Sequence, residues 1–156
     1  MSSIRFIAMP TELVTSLQAG GHDANHQRPE RAISDGDGVP CRHCLQVVEA
    51  GAPYLILAHR PFTTLQPYAE CGPIFLHADA CPRYDRTGAL PPMLGSAQYI
   101  LRGYSEQERI IYGTGQIVPT PYISQRASEL LQREDVAFVH VRSATNNCFQ
   151  CRIERA

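Results

Sequence analysis

Short apolar segments separated by turn-forming residues are the main feature of the chain, and this pattern predicts strands more often than helices. The first segment is short and is expected to form an edge strand. Asn146 and Asn147 predict the turn of a hairpin that joins the last two segments. The predicted strands cover residues 4–8, 54–58, 73–77, 98–102, 109–112, 136–142 and 148–153.

Two segments have the three- to four-residue spacing of apolar positions that is typical of amphipathic helices. The first begins near Pro10, a residue that a first helical turn tolerates, and ends before Gly20. Its apolar face consists of Leu13, Val14 and Leu17. The second is predicted over residues 120–133, and its apolar face consists of Ile123, Ala127, Leu130 and Leu131.

Polar segments separate these elements. Residues 22–39 are rich in glycine, aspartate and asparagine and predict a long surface loop. Residues 81–92 contain three prolines and one glycine and predict another loop. Few helices and many short strands favour an α+β fold, mainly an antiparallel sheet with one or two packed helices and long loops. Residues 1–156 are expected to form a single domain.

Composition and charge exclude several functions. The chain has 156 residues with 44% hydrophobic and 19% charged residues, which is ordinary for a globular protein. Its net charge of −1 provides no basic excess for a phosphate backbone, so no nucleic-acid partner is expected. Its basic residues are all arginine, so no lysine is present for a Schiff base or for a phosphate-binding P-loop.

The chain has neither the charged start and apolar run of a signal peptide nor a segment long enough to span a membrane. We therefore expect a cytoplasmic protein without a membrane partner, in a compartment where thiols stay reduced. Six cysteines in such a protein suggest metal or redox chemistry more than disulfides.

A candidate metal site combines Cys41-x-x-Cys44 with His77-x-x-x-Cys81. Two thiolates separated by two residues bind one ion from a tight turn, and the later pair meets on one side of a helical turn. Three sulfurs and one nitrogen suit tetrahedral zinc, and a site with four protein ligands would be structural. His43 is an alternative ligand that we expect to point outward. The competing interpretation is a metal-free fold in which these cysteines only pack.

A second cysteine pair, Cys148 and Cys151, has the spacing of a redox dithiol but lies on a predicted strand. Side chains three positions apart on a strand face opposite sides. Phe149, Cys151 and Ile153 are therefore expected to share the core face, with Cys148 and Gln150 on the other face. Without a local turn, the two sulfurs are not expected to bond or chelate together.

Cys148 is also a candidate catalytic nucleophile. His140 is the candidate base, and the neighbouring asparagine amides are candidate oxyanion donors. Five residues are candidates for lining one pocket at a sheet end: His59, Arg60, His140, Arg142 and Cys148. A partly buried turn cysteine without chemistry is the competing interpretation.

Several motifs resemble a bacterial family catalogued as domain of unknown function 1203, from about Phe6 to Ala156. The resemblance implies one module over the whole chain, and it implies no activity. It also makes Cys71, which lies outside the family pattern, a poor candidate for an essential role. The motifs are Cys41-Arg42-His43-Cys44-Leu45, Arg60-Pro61-Phe62, Pro67-Tyr68-Ala69-Glu70, Gly72-Pro73-Ile74-Phe75-Leu76-His77, His140-Val141-Arg142-Ser143-Ala144 and Cys148-Phe149-Gln150-Cys151-Arg152-Ile153.

The leading hypothesis is a cytoplasmic binding or accessory module with structural zinc at Cys41, Cys44, His77 and Cys81. One rival is a thiol-dependent enzyme that uses Cys148 as a nucleophile, or a redox protein that uses Cys148 and Cys151 as a dithiol. The other rival is a metal-free fold. An exposed edge strand would also support a homodimer.

Overall fold

The computed structural model describes residues 3–156 and contains two antiparallel sheets and two α-helices. The fold class predicted from the sequence is confirmed. The helices are α1 (Thr11–Gln18) and α2 (Ile123–Leu131), the latter preceded by a 3-10 turn at Thr120–Tyr122. The strands are β1 (Ile4–Ile7), β2 (Glu30–Ile33), β3 (Pro53–His59), β4 (Gly72–His77), β5 (Gln98–Tyr104), β6 (Gln116–Pro119), β7 (Phe138–Ser143) and β8 (Phe149–Arg155).

The larger sheet has the strand order β1-β8-β7-β5-β6, so β1 is an edge strand as expected. Helix α2 covers one face of this sheet because its apolar positions recur every three to four residues. Ile123, Ala127, Leu130 and Leu131 of the helix are all buried in one core with residues of β1, β5, β7 and β8.

The smaller sheet has the strand order β2-β3-β4. Helix α1 packs beside it through Val14 and Leu17, which share a second core with Leu55 and Leu57 of β3. Leu13, assigned to the same apolar face, is 40% exposed, so the buried face of this short helix is narrower than expected. This second core contains Cys41 and Cys44.

The structure contradicts two of the predictions about strands. Strand β2 lies within residues 22–39, which were predicted to form a loop. It is an edge strand and is mostly exposed, with Ile33 66% exposed. Backbone pairing with β3, rather than an apolar pattern, defines it. Residues 109–112 form no strand, because Ile110 makes only an isolated bridge to Tyr104. The partner of β5 is instead β6, a four-residue strand too short to give a clear pattern.

A β-bulge changes which side chains of β8 face the core. Val141 of β7 pairs with Cys151, but the next residue, Arg142, pairs with Phe149, so Gln150 is the extra residue. Cys151 and Ile153 lie in the larger core, as predicted. Phe149 faces the other side and packs on His140, with ring centroids 4.8 Å apart. The expectation that Phe149 shares the core face was therefore wrong.

Within residues 3–156, neither helix has the length and apolar character that crossing a membrane requires.

Candidate metal centre

Cys41 and Cys44 lie on a tight turn whose backbone directs both sulfurs to one side. The backbone N–H of Leu45 donates to the carbonyl of Cys41 at 2.9 Å, and Leu45 adopts a left-handed φ of 56°. The backbone N–H groups of Cys44 and Gln46 donate to the sulfurs of Cys41 and Cys44 respectively. Each donor lowers the pKa of the sulfur that it contacts, because N–H hydrogen bonds stabilise the charged form of sulfur.

The other two residues come from the end of β4 and the loop after it. His77 is the last residue of the strand, and its backbone N–H donates to the sulfur of Cys41 at 3.3 Å. Helix α1 contacts the segment that follows β4, since the side-chain amide of Gln18 donates to the carbonyls of His77 and Asp79, both at 2.9 Å. Cys81 follows in a loop without helical structure, so the expectation that His77 and Cys81 meet on a helical turn was wrong.

The four predicted ligand residues converge on one point. The ligand atoms of Cys41, Cys44, His77 and Cys81 all lie within 4.8 Å of one another. The sulfurs of Cys41 and Cys81 are 3.9 Å apart, and the sulfur of Cys44 is 3.4 Å from Nδ1 of His77. Cys41 and Cys44 are buried, and the other two residues are partly buried. This arrangement of donor atoms is compatible with a metal site.

Two further side chains contact the cluster from outside. Nε2 of His77 lies 3.1 Å from a carboxylate oxygen of Glu49, which orients the ring so that Nδ1 faces the thiols. His43 is 2% exposed, so the expectation that it points outward was wrong. Its Nδ1 lies 3.2 Å from the sulfur of Cys81, and its Nε2 lies 2.9 Å from the hydroxyl of Thr11 on α1.

Hydrogen bonds among the three thiols lower the pKa of one of them and raise the pKa values of the other two. Hydrogen bonds from the thiols of Cys44 and Cys81 lower the pKa of Cys41 well below its ordinary value. The hydrogen bond with Cys41 raises the pKa of Cys44 to about 11, and hydrogen bonds with both neighbouring thiols raise the pKa of Cys81. Burial is the largest single influence on the pKa of His77 and lowers it, but the hydrogen bonds and negative charges of Glu49 and Cys41 together outweigh it, so the net direction is upward.

Arg42, the other residue inside the Cys41–Cys44 turn, points away from the cluster toward the larger sheet. Its Nε donates to the carbonyl of Phe149 at 2.8 Å, and its Nη1 donates to the carbonyl of Pro40 at 2.7 Å. Burial lowers the pKa of Arg42 to about 10, which leaves the guanidinium cationic at neutral pH.

The candidate catalytic pair, Cys148 and His140, lies near the hairpin turn, and no hydrogen bond joins the two side chains in the described chain. The thiol of Cys148 contacts the carbonyl of Asn146 at 3.8 Å. Nδ1 of His140 instead lies 3.1 Å from Nη2 of Arg142, which can only donate. The catalytic role of this pair stays a prediction.

His140 is enclosed by aromatic rings. It has no solvent exposure, and burial holds its pKa well below the ordinary value. Its Nε2 has no hydrogen-bond partner in the described part of the chain. The surrounding rings belong to Phe62, Tyr104, Phe138 and Phe149, with centroids 4.6 to 5.3 Å from that of His140. A neutral imidazole in this position fits a packing role.

The pocket expected at a sheet end is formed in part. A cavity of about 230 Å³ is lined by His59, Arg142 and Cys148 of the predicted set, together with Glu70. Glu70 forms an ion pair with Arg142, whose Nη2 lies 3.1 Å from its carboxylate. Arg60 is absent from the lining, and its Nε donates to the carbonyl of Ala69.

The remaining two thiols differ in environment. Cys151 is 1% exposed, and burial raises its pKa to about 12, so it is unavailable as a nucleophile at neutral pH. Cys71 is exposed and lies outside the Cys41–Cys81 cluster, with its sulfur 3.8 Å from the side-chain oxygen of Asn25. No disulfide joins the six cysteines.

Sequence reasoning missed Glu49 and the roles of His43 and Arg42. A carboxylate five residues after a Cys-x-x-Cys turn is too common to mark a contact with a distant histidine. The residues between two ligands of a tight turn point to opposite sides, but the direction of each depends on the neighbouring elements. Here α1 lies on the side of His43, and β8 lies on the side of Arg42.

The fold and the cluster define a small α+β protein with a partly buried set of three cysteines and one histidine. Residues 38–155 match the family described as "Protein of unknown function (DUF1203)", and the chain therefore belongs to this family. The match contains all four cluster residues and begins later than the resemblance seen from about Phe6. No curated protein and no solved structure matches the chain.

Proposed function

We propose that this protein is a small binding or accessory module in which Cys41, Cys44, His77 and Cys81 hold a structural zinc ion. The observation that carries the proposal is the convergence of three sulfurs and one imidazole nitrogen within 4.8 Å. Thiolate and imidazole ligands favour zinc over calcium, magnesium or manganese, which prefer oxygen ligands.

Two distances between ligand atoms of the cluster support a tetrahedral ion. Zinc–sulfur bonds of about 2.3 Å and zinc–nitrogen bonds of about 2.0 Å place two sulfurs about 3.8 Å apart, and sulfur and nitrogen about 3.5 Å apart. The sulfurs of Cys41 and Cys81 are 3.9 Å apart, and the Cys44–His77 pair is separated by 3.4 Å. Both distances agree with a tetrahedral centre within about 0.1 Å of these estimates.

A structural role follows from the number of ligands. Four protein ligands leave no open position for a catalytic water on a tetrahedral ion. Zinc would join the Cys41–Cys44 turn, the end of β4 and the following loop, and would add to the backbone hydrogen bonds from Arg42 to Phe75 and from Tyr84 to His43. Residues 81–92 form no regular helix or strand, so the ion would anchor the start of a long loop. The proposal includes a cytoplasmic location, where these thiols stay reduced.

Metal analysis with paired variants tests the proposal. The purified, untagged wild-type protein is expected to contain about one zinc per chain by plasma mass spectrometry, a value that follows from the single closed site. Cys81→Ser is expected to lose the metal, whereas the matched control Cys71→Ser is expected to retain it. If the wild-type protein is purified without metal and still binds no zinc when zinc is added under reducing conditions, the proposal is ruled out.

A thiol-dependent enzyme is the second candidate. The observation that favours it is that Cys148 shares a cavity with His59 and the Glu70–Arg142 ion pair. Burial lowers the pKa of His59 to about 4, so this imidazole is neutral and able to accept a proton. The test is the pH dependence of Cys148 alkylation in wild type, His59→Gln and His140→Gln. Alkylation that persists well below about pH 8.5 supports the enzyme, and ordinary thiol behaviour opposes it.

A further inference from the structure

Arg42 is a buried cation without a carboxylate partner. It is 2% exposed, and no ion pair in residues 3–156 includes it. Two backbone carbonyls accept from its Nε and Nη1, and the guanidinium carbon lies 5.7 Å from the centroid of the Phe75 ring. These contacts fix the guanidinium but provide no opposite charge.

The comparison with Arg142 shows that the protein does pair a buried arginine elsewhere. The side chain of Arg142 is 3% exposed, and Glu70 lies 3.1 Å from its Nη2. An unpaired buried charge is costly, because backbone carbonyls replace only part of its hydration. The unpaired state of Arg42 is explained if its counter-ion is a ligand rather than a side chain.

A cavity with suitable chemistry lies at Arg42. Its volume is about 350 Å³, the space of roughly a dozen water molecules. Arg42 and the exposed Asp37 are the only charged residues of the lining. The side-chain hydrogen bonds of Arg42 in the described chain come from Nε and Nη1, which leaves Nη2 for a ligand. The neutral polar residues of the lining are Ser96, Tyr99, Ser143, Asn146, Cys148 and Gln150.

We infer that this cavity binds a small oxyanion, a carboxylate or a phosphate group, on the guanidinium of Arg42. Arginine suits this role because its planar group presents several N–H donors to an oxyanion. Asn146 of the lining makes no side-chain hydrogen bond in the described chain and is available to bind the rest of the ligand, whereas Nε2 of Gln150 already donates to the carbonyl of Cys148. The site differs from the Cys41–Cys81 cluster, which lies on the opposite side of the same turn.

Cys148 makes the inference testable because its side chain lines the same cavity. Iodoacetate and iodoacetamide alkylate a thiolate by the same reaction, in which a sulfur–carbon bond forms and iodide leaves. Only iodoacetate carries a carboxylate. An oxyanion site beside Cys148 is therefore expected to accelerate the reaction with iodoacetate relative to iodoacetamide at this cysteine.

The experiment measures both alkylation rates at Cys148 by tandem mass spectrometry, with 2-mercaptoethanol as the neutral reference thiol. We expect the iodoacetate-to-iodoacetamide rate ratio at Cys148 to exceed the reference ratio roughly tenfold, the effect of one charge-assisted hydrogen bond. Arg42→Gln is expected to reduce the ratio to the reference value. The matched control Arg31→Gln, which removes a charge from an exposed position of β2, is expected to leave it unchanged.

Competition on the wild-type protein provides a readout that does not depend on folding of the Arg42 variant. Inorganic phosphate and acetate are added in separate arms against sodium chloride of equal ionic strength. Slower iodoacetate alkylation of Cys148 in one arm supports the site and identifies which oxyanion it prefers. The inference would be overturned if the iodoacetate-to-iodoacetamide rate ratio at Cys148 equals that of 2-mercaptoethanol. It would also be overturned if the ratio is raised but neither phosphate nor acetate lowers it.

Discussion

Nε2 of His77 lies 3.1 Å from a carboxylate oxygen of Glu49, and this contact orients the ring so that its other nitrogen faces three thiols. Glu49 follows Cys44 by five residues, so one loop supplies both a sulfur and the carboxylate that orients the histidine. In metal sites, such a carboxylate fixes the tautomer of the histidine and strengthens the ligand. The relationship explains why an exposed glutamate is held against the end of a strand.

Glu49→Gln is expected to weaken zinc binding by about tenfold or more, because an amide orients the imidazole less strongly than a carboxylate does. Competition with a chromogenic chelator measures the affinity. The exposed residue Glu106 supplies the control variant, Glu106→Gln, whose affinity should equal that of wild type. Equal affinities in all three proteins would show that the Glu49 contact does not act on a bound metal.

His43→Phe is expected to keep one zinc per chain but to lose it faster to a chelator, by roughly tenfold. The variant removes the hydrogen bond to the sulfur of Cys81 while retaining a ring of similar size. Thr11→Val removes only the outer hydrogen bond to His43 and is expected to have a smaller effect. The order of the three release rates tests the chain of contacts from α1 to the cluster. Faster release from Thr11→Val than from His43→Phe would contradict it.

Loss of the metal is expected to lower stability. Cys41→Ser should reduce the free energy of unfolding by about 4 kcal/mol, the contribution of a ligand present at a thousandfold its Kd. Urea denaturation under reducing conditions measures the difference, and wild-type protein stripped by a chelator should match the variant. Cys71→Ser, which alters an exposed thiol, should unfold like wild type. A Cys41→Ser protein as stable as the zinc-loaded wild type would exclude a structural ion.

Acid is expected to destabilise the protein through His59. Burial and the nearby charge of Arg42 lower the pKa of His59 to about 4, whereas an unfolded histidine titrates near pH 6.5. Between these values the unfolded chain binds more protons, so stability falls as the pH decreases. The contribution is about 2 kcal/mol between about pH 7 and about pH 5. His59→Gln should lose that part of the pH dependence in urea denaturation, and an unchanged dependence would oppose the assignment.

Much of the fold and the metal cluster was predictable because the responsible signals are local. Apolar spacing gave α2, and β-prone segments gave β3, β4, β7 and β8 close to their observed bounds. The four cluster residues came from the spacing of Cys41 and Cys44 and of His77 and Cys81. Each spacing is local, but the meeting of the two pairs depends on tertiary contacts, such as those of Gln18 with the carbonyls of His77 and Asp79.

The failures concern features that depend on tertiary contacts. Strand β2 is defined by backbone pairing at an edge, where side chains need not alternate. The face of Phe149 depends on a bulge, which one extra residue opposite β7 creates without a sequence signature. The buried position of His43 depends on α1, and the unpaired charge of Arg42 became visible only when its neighbours were known.

X-ray absorption at the zinc edge of the purified protein tests the central proposal most directly. We expect three sulfurs at about 2.3 Å and one nitrogen at about 2.0 Å around each zinc, with the sulfur count falling in Cys81→Ser. A first shell of oxygen and nitrogen ligands only, or a spectrum unchanged by Cys81→Ser, would contradict a zinc site formed by Cys41, Cys44, His77 and Cys81.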